Sequence, residues 1–218
     1  MTDDAIPQWA LDEAHKRLTA EGPWFEPTNH AIKVLARKDY IVRDAPLADL
    51  RAFIAAYHYA RGSSLTAVYK HGMYDVHTGR LVGAALWLPP TRVCAESVNK
   101  ENWQRVVSLS RLAVSPDMPT NAASFLIGQS IRIIRKEGKW KSLVTYADTR
   151  QGHTGTIYKA TNWQFVGQVK GSPTWINPAD GRQVACKSTK NRNNAQMIEL
   201  GYERVGTFPK LKFVMHLN

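Results

Sequence analysis

Cysteine is nearly absent from this chain, with Cys94 and Cys186 the only two in 218 residues. Two thiols make neither a disulfide framework nor a zinc motif, and they suit a reducing compartment. Long apolar runs are missing as well: none approaches the 18 residues that a membrane-spanning helix needs. The opening Thr2-Asp3-Asp4 lacks the basic-then-apolar order of a secretory leader. A soluble, cytoplasmic protein without a membrane partner is the expectation. Acid is the third shortage. Asp and Glu total 18 against 29 Lys and Arg, a net charge of +11 and a pI near 9.8. Nine of those acids fall within residues 1–50, where only six bases stand, so residues 51–218 carry nine acids against 23 bases. Such a field attracts polyanions, because neutralising phosphates releases counterions and raises on-rates. The plainer alternative is a merely basic soluble protein; an acidic membrane surface fits less well, since no long basic amphipathic helix is evident.

Apolar residues make up 44% of the chain and aromatic ones 10%, which is globular composition. The length suits one domain. It divides into an N-terminal extension (1–45), a core (46–168), and a polar insertion with C-terminal strands (169–218). Residues 8–20 have the pattern of a short helix ended by Gly22 and Pro23, and Lys33 to Val42 reads as extended. Leu47, Leu50, Ile54 and Tyr57 recur at helical spacing within 46–59, with Asp44 as a plausible N-cap. A hairpin follows, with β-like segments 66–70 and 73–76 and a turn at His77-Thr78-Gly79. Residues 81–88 form a buried strand that Pro89-Pro90 stops.

The most informative stretch is 105–167. It reads as strand (105–114), loop, amphipathic helix (121–136), strand (142–146), polar loop, short helix and strand. The long helix turns basic at its C-terminal end through Arg132, Arg135 and Lys136, which complements its dipole. An α/β unit whose strands run into polar loops is where such folds place their chemistry. Residues 170–194 read as a polar insertion or lid. Two segments echo each other, Asn162-Trp-Gln-Phe-Val-Gly and Gly201-Tyr-Glu-Arg-Val-Gly.

Candidate site residues gather at the strand ends. Asp148 leaves an apolar strand just before Thr149-Arg150-Gln151-Gly152-His153 and suits a metal ligand or general base; its bland role is an N-cap for 154–160. His58, in Tyr57-His58-Tyr59, and His153, in a glycine-flanked loop, carry imidazoles. With Asp148 they supply ligand types suited to a non-haem iron, although a packing role for His58 and plain exposure for His153 compete. Tyr158 offers a hydroxyl able to protonate a leaving group. Arg111 suits bidentate binding of a carboxylate or phosphate, against a bland role as an edge cation. Ser124, in the first turn of the long helix, stands where free N–H groups accept anions.

The wording Ser-Arg-Leu-Ala-Val-Ser-Pro-Asp (110–117), then Ser-Phe-Leu-Ile-Gly-Gln-Ser-Ile-Arg (124–132), then Thr-Tyr-Ala-Asp-Thr (145–149) resembles the Mom proteins of Mu-like phages. The element order is similar to that of the N-acetyltransferase-like (GNAT) fold. The resemblance implies a mixed central sheet flanked by helices. It also implies transfer of a carbamoylmethyl group to the exocyclic amine of adenine in double-stranded DNA, which shields phage DNA from host restriction. By position it implies a site lined by Tyr57, His58, Tyr59, Arg111, Ser124, Asp148 and Tyr158, with Asp148, Tyr158, Tyr59 and Arg111 catalytic, and an iron requirement. The carbon donor stays open between a glycine-derived and an acyl-coenzyme A-like compound. GNAT enzymes cradle a coenzyme A pyrophosphate in a glycine-rich loop, whereas residues 117–123 here hold no glycine. Because the adenine amine is buried in duplex stacking, such an enzyme must flip the base or seize open DNA, with Tyr57, Tyr59, Trp163 or Trp175 available to stack on it. An acyl-coenzyme A-dependent N-acyltransferase acting on a small amine or protein, and a non-enzymatic phage DNA-binding protein, are the alternatives.

Overall fold

The computed structural model describes residues 7–9, 12, 34–62, 65–179, 181, 183–184 and 192–217. Most of the expected helix over 8–20, and residues 180, 182 and 185–191 of the insertion over 170–194, lie outside these. Among the described residues ten strands form two sheets. In the larger, β1 (Tyr40–Asp44), β2 (Tyr69–Asp75), β3 (Leu81–Leu88) and β4 (Val106–Val114) make an antiparallel meander. The β4 strand then runs parallel to β5 (Ser142–Asp148), and β10 (Lys210–His216) inserts antiparallel between β5 and β6 (Gln164–Val169). The main sheet thus draws on both sides of the 46–168 core: β1 comes from the presumed extension and β10 from the presumed tail. A smaller sheet has the order β8 (Gln183–Val184), β7 (Pro173–Ile176), β9 (Glu203–Thr207).

Helices cover both faces of the main sheet. On one face α1 (Leu47–Tyr57) buries Leu50, Phe53 and Ile54 against Ala84, Leu86 and Ala113. The short α2 (Arg92–Glu96) sets Ala95 against Val106, Val144 and Val214 on the same face. Asp44 does not cap α1; it ends β1, and Pro46 takes the cap position without a side-chain bond. On the opposite face α3 (Ala122–Lys136) packs Leu126, Ile127, Ile131 and Ile134 onto Ala85, Trp87, Val107 and Leu143. Each fully buried aliphatic side chain here contributes about 1.5–3 kcal/mol.

The expected pairing of 81–88 with 105–114, and of the latter with 142–146, is present. So is the splay of a GNAT-like sheet. The parallel ladder joins only Val106–Ser108 to Ser142–Val144. Past that point the two strands part, and the Thr145 hydroxyl donates to the Leu109 carbonyl at 3.2 Å in place of a backbone N–H.

The two echoing segments are the same device used twice. After α4 (Thr156–Lys159) the Trp163 N–H reaches back to the Tyr158 carbonyl at 3.0 Å, past Asn162 at φ +65°. After α5 (Asn194–Glu199) the Tyr202 N–H reaches the Met197 carbonyl at 3.0 Å, past Gly201 at φ +79°. A left-handed residue closing the last turn is how a short helix is stopped and its chain turned into a strand.

Candidate active site

The cleft begins with a fault in β4. Opposite Leu86 and Trp87 the register skips from Arg111 to Leu109, leaving Ser110 bulged. Strict alternation would put Val107, Leu109, Arg111 and Ala113 on one face. The extra residue reverses the parity, so Val107 and Leu109 join the α3 core while Ala113 joins the α1 side, with Arg111 in the same phase. A cation that would have faced apolar core thereby faces the end of α1. There the Arg111 Nε donates to the Gly62 carbonyl at 2.6 Å and Nη1 donates to the Ser110 carbonyl at 2.8 Å. Arg111 is therefore a largely buried clamp on the loop that follows α1, not an edge cation. Burial lowers its pKa, and the neighbouring Tyr59 opposes that effect.

That loop carries His58 and Tyr59, whose rings stack with centroids 4.3 Å apart. The Tyr59 hydroxyl donates to Asp148 Oδ2 at 3.4 Å, and the Tyr59 ring meets His153 edge-on at 6.0 Å. Three segments distant in sequence thus close on one place. Asp148 ends β5 and is 4% exposed. Its Oδ1 accepts the Arg150 N–H at 3.1 Å, which caps a short 3₁₀ turn over Thr149–Gln151; the N-cap of α4 is Gly155 instead. Its Oδ2 makes long contacts to the described residues Tyr59 and Lys210, the latter through Nζ at 3.5 Å. Oδ2 is consequently the oxygen open to a new donor.

Electrostatics fix the protonation of the neighbours. Burial, reinforced by Arg111, His153 and Lys210, drives the His58 pKa down to about 3, so the imidazole is neutral. Its Nδ1 accepts the Ala60 N–H at 3.0 Å, which leaves the proton on Nε2. Burial and Asp148 push the Tyr59 phenol up, and burial alone lowers His153 against the opposing pull of Asp148.

The donor set as folded does not fit an iron centre. Among the described residues no three His, Cys, Asp or Glu side chains are grouped to hold a metal. His58 compounds this, because its Nε2 carries the proton and its Nδ1 lone pair is engaged. His58, Asp148 and His153 lie in one region, but as placed the described side chains do not form a metal cage.

Tyr158 lies at the floor of the splay. Its ring packs on Phe213 and Trp163, with centroids 5.2 and 5.9 Å away, and its hydroxyl bonds to Thr145. Burial raises its pKa, so it keeps its proton. Ser124 stands in the first turn of α3, where its hydroxyl donates to the Asn121 carbonyl at 2.9 Å. The Asn121 Oδ1 in turn accepts the Leu35 N–H at 3.0 Å, so the chain's own segment before β1 lies against that helix end.

Three expected stacking residues are elsewhere. Trp163 and Trp175 are buried, the latter completely. Tyr57 turns away from its neighbours to pack on Phe53 and line a separate cavity of about 520 Å³ with Trp9 and Arg80. Only Tyr59 remains in the cleft. Lys210 was not foreseen. The alternation of 210–215 marks a strand, but nothing local to it reveals that β10 pairs Lys210 with Asp148.

A mixed sheet splayed between its two parallel strands, bulged beside the opening and flanked by helices on both faces, is the GNAT architecture. Two solved acetyltransferases share it. NAA60 of Arabidopsis thaliana, in complex with a bisubstrate analogue, is 13% identical with a TM-score of 0.51, over 82% of this chain and 98% of that one. The ribosomal-protein-S5-alanine acetyltransferase of Vibrio fischeri is 9% identical with a TM-score of 0.50, over 83% and 94%. At such identities the likeness is one of fold alone. Residues 39–215 match the model of the Mom protein family, and the chain belongs to that family. It is similar to the methylcarbamoylase mom of Escherichia phage Mu, 32% identical over 127 residues, 54% of this chain. It spans about half the length of that relative, 49%. Among the described residues no helix is long and apolar enough to cross a membrane.

Proposed function

We propose that this protein is a phage DNA-modification enzyme that transfers a carbamoylmethyl group to the exocyclic amine of adenine, protecting phage DNA from host restriction. Membership in the Mom family and the name of the Mu relative support the reaction class. The observation that carries the reading is the convergence of Tyr59, Arg111 and Asp148 on one cleft, with Asp148 Oδ2 loosely held.

An exocyclic amine is a poor nucleophile until a proton leaves it. Asp148 Oδ2 accepts that N–H and takes the proton as the new N–C bond forms. The N–C bond forms at the methylene of the incoming group as that carbon's bond to the donor's leaving group breaks, and the neutral Nε2–H of His58 with the cation of Arg111 holds the group's amide oxygen so that the methylene faces the amine. Tyr158, protonated at the floor of the splay, is the candidate proton donor to the leaving group. Tyr59 orients Asp148 and offers a ring face to the extruded base. Ser124 remains the candidate contact for the donor's anionic part. The loop without glycine and the Leu35 contact at the α3 N-terminus count against an ordinary coenzyme A pyrophosphate there.

The test is nucleoside mass spectrometry on DNA from bacteria expressing the chain. A new deoxyadenosine derivative heavier by a carbamoylmethyl group is expected. An unchanged nucleoside profile from soluble, folded protein would defeat the reading.

A further inference from the structure

Resting on the reading that DNA is the substrate, we propose that one DNA strand crosses the end of the main sheet at β5, β10 and β6, with its phosphates held by Arg150, Lys210 and Lys170. The three cations come from separate parts of the sequence, and the strand registers bring them into a row. Lys210 opens β10 and stands opposite Asp148 on one side and Val169 on the other. Lys170 is one residue beyond Val169, and Arg150 two beyond Asp148. Neighbouring strands lie about 4.8 Å apart, so this rim spans roughly 10 Å.

Each cation is presented differently. The Arg150 guanidinium is pre-set: Nη1 donates to Gln183 Oε1 at 2.7 Å, and the group lies 5.6 Å from the Phe208 ring centroid. An arginine held in this way loses little freedom when its remaining N–H groups grip a phosphate. The Lys210 side chain is 43% exposed although its ammonium touches the buried Asp148. Lys170 is exposed. Asp148 is the carboxylate these contacts bring to the rim, and it lies below the cations with 4% of it exposed. A base delivered to Asp148 leaves its flanking phosphates beside Lys210, the group nearest the carboxylate.

A second basic region lies at the far end of the sheet and serves as the comparison. Lys136 ends α3, Lys139 follows it, and Lys141 precedes β5. A strand docked there would be separated from Asp148 by the seven residues of β5, roughly 20 Å.

The experiment measures binding of a fluorescent duplex oligonucleotide across a salt series. Proteins carrying Lys170→Gln, Lys210→Gln or Arg150→Gln are compared with one carrying Lys136→Ser, Lys139→Ser and Lys141→Ser together. Each rim substitution is expected to lower the slope of log K against log salt by about 1 and to weaken binding several-fold at about 0.1 M salt. The far-end protein should match the wild type. Lys170→Gln alone decides the matter if Arg150→Gln disturbs the small sheet, because Lys170 is exposed. Wild-type slopes in the rim variants, or a loss confined to the far-end protein, would overturn the rim while leaving the enzyme reading intact. A wild-type protein that binds no DNA at low salt would remove both.

Discussion

Two histidines are buried on opposite faces of the same sheet, and they show what separates a site from a core. His71 on β2 faces α3, where its Nδ1 lies 3.0 Å from the Ser130 hydroxyl, and burial lowers its pKa to about 4. His58 follows α1 on the other face, and burial with neighbouring cations lowers it to about 3. By burial and titration alone the two are alike. They differ in company. His71 bonds Ser130, which is fully buried with it, and the charged groups that act on it, Asp44 and Glu137, are of one sign. His58 shares its surroundings with Arg111, His153 and Lys210 and stacks on a tyrosine that bonds a carboxylate. A perturbed pKa marks function only where groups of different charge converge on accessible space.

The widest separation of the two faces is expected from Asp148→Asn. This change keeps the side chain's shape but removes the proton acceptor, so turnover on DNA should fall about 10²–10⁴-fold with melting temperature little altered. Full activity would reduce Asp148 to the cap of its 3₁₀ turn. Next comes Arg111→Lys, which cannot reproduce the two bonds to Gly62 and Ser110. Losing hydrogen bonds of a charged group, worth about 1.5–3 kcal/mol, should cost about 10–100-fold in turnover through misplacement of Tyr59. An Arg111→Lys enzyme as fast as wild type would show that the clamp is idle.

On the α3 face the opposite pattern is expected. Ser130→Ala leaves the His71 Nδ1 buried without its partner and should lower unfolding free energy by about 1–3 kcal/mol in urea titrations, with turnover unchanged. A drop in turnover at normal stability would mean that the two faces are coupled.

The smallest effect is in pH dependence. Both histidines are neutral when folded and bind protons below 6.5 when unfolded. Their contribution is therefore fully present above pH 6.5 and is lost as pH falls towards 4 and then 3. Each adds about 1.4 kcal/mol per pH unit to the slope below 6.5. His153, lowered as well, adds a lesser share. His58→Gln and His71→Gln should each flatten the slope between pH 6 and 4.5 by the same amount, although only the former slows turnover. An unaltered slope in either would mean that the histidine is not buried neutral.

How far the site was legible in advance follows from which interactions are local. The helix over 121–136, the strands over 81–88 and 105–114, and the polar turn after Asp148 declare themselves through periodicity and turn residues, because both signals act within a few residues. So does the basic body of the chain. The placing of Asp148, His58, Tyr59 and Arg111 in one region came from the family resemblance rather than from any spacing between them. Three errors have one cause. Trp163 and Trp175 are large rings near polar loops in sequence, yet the former joins the α3-side core and the latter is fully buried on the small sheet. Tyr57 lies one residue from His58 but on the other side of the helix end.

Local patterns in the sequence settled the principal helices and strands of the core, their order and the sign of the net charge, but not the two strands of the small sheet that lie within 170–194. Tertiary structure decided where the chemistry faces. The bulge at Ser110 reverses the phase of β4 and turns Arg111 out of the α3 core, and no local residue pattern encodes that single uncounted residue. The insertion of β10 between β5 and β6 brings Lys210 to Asp148 across 62 positions of sequence. A strand's partner is chosen by the whole sheet's burial, since β10 has to bury Phe213 and Val214 on opposite faces at once.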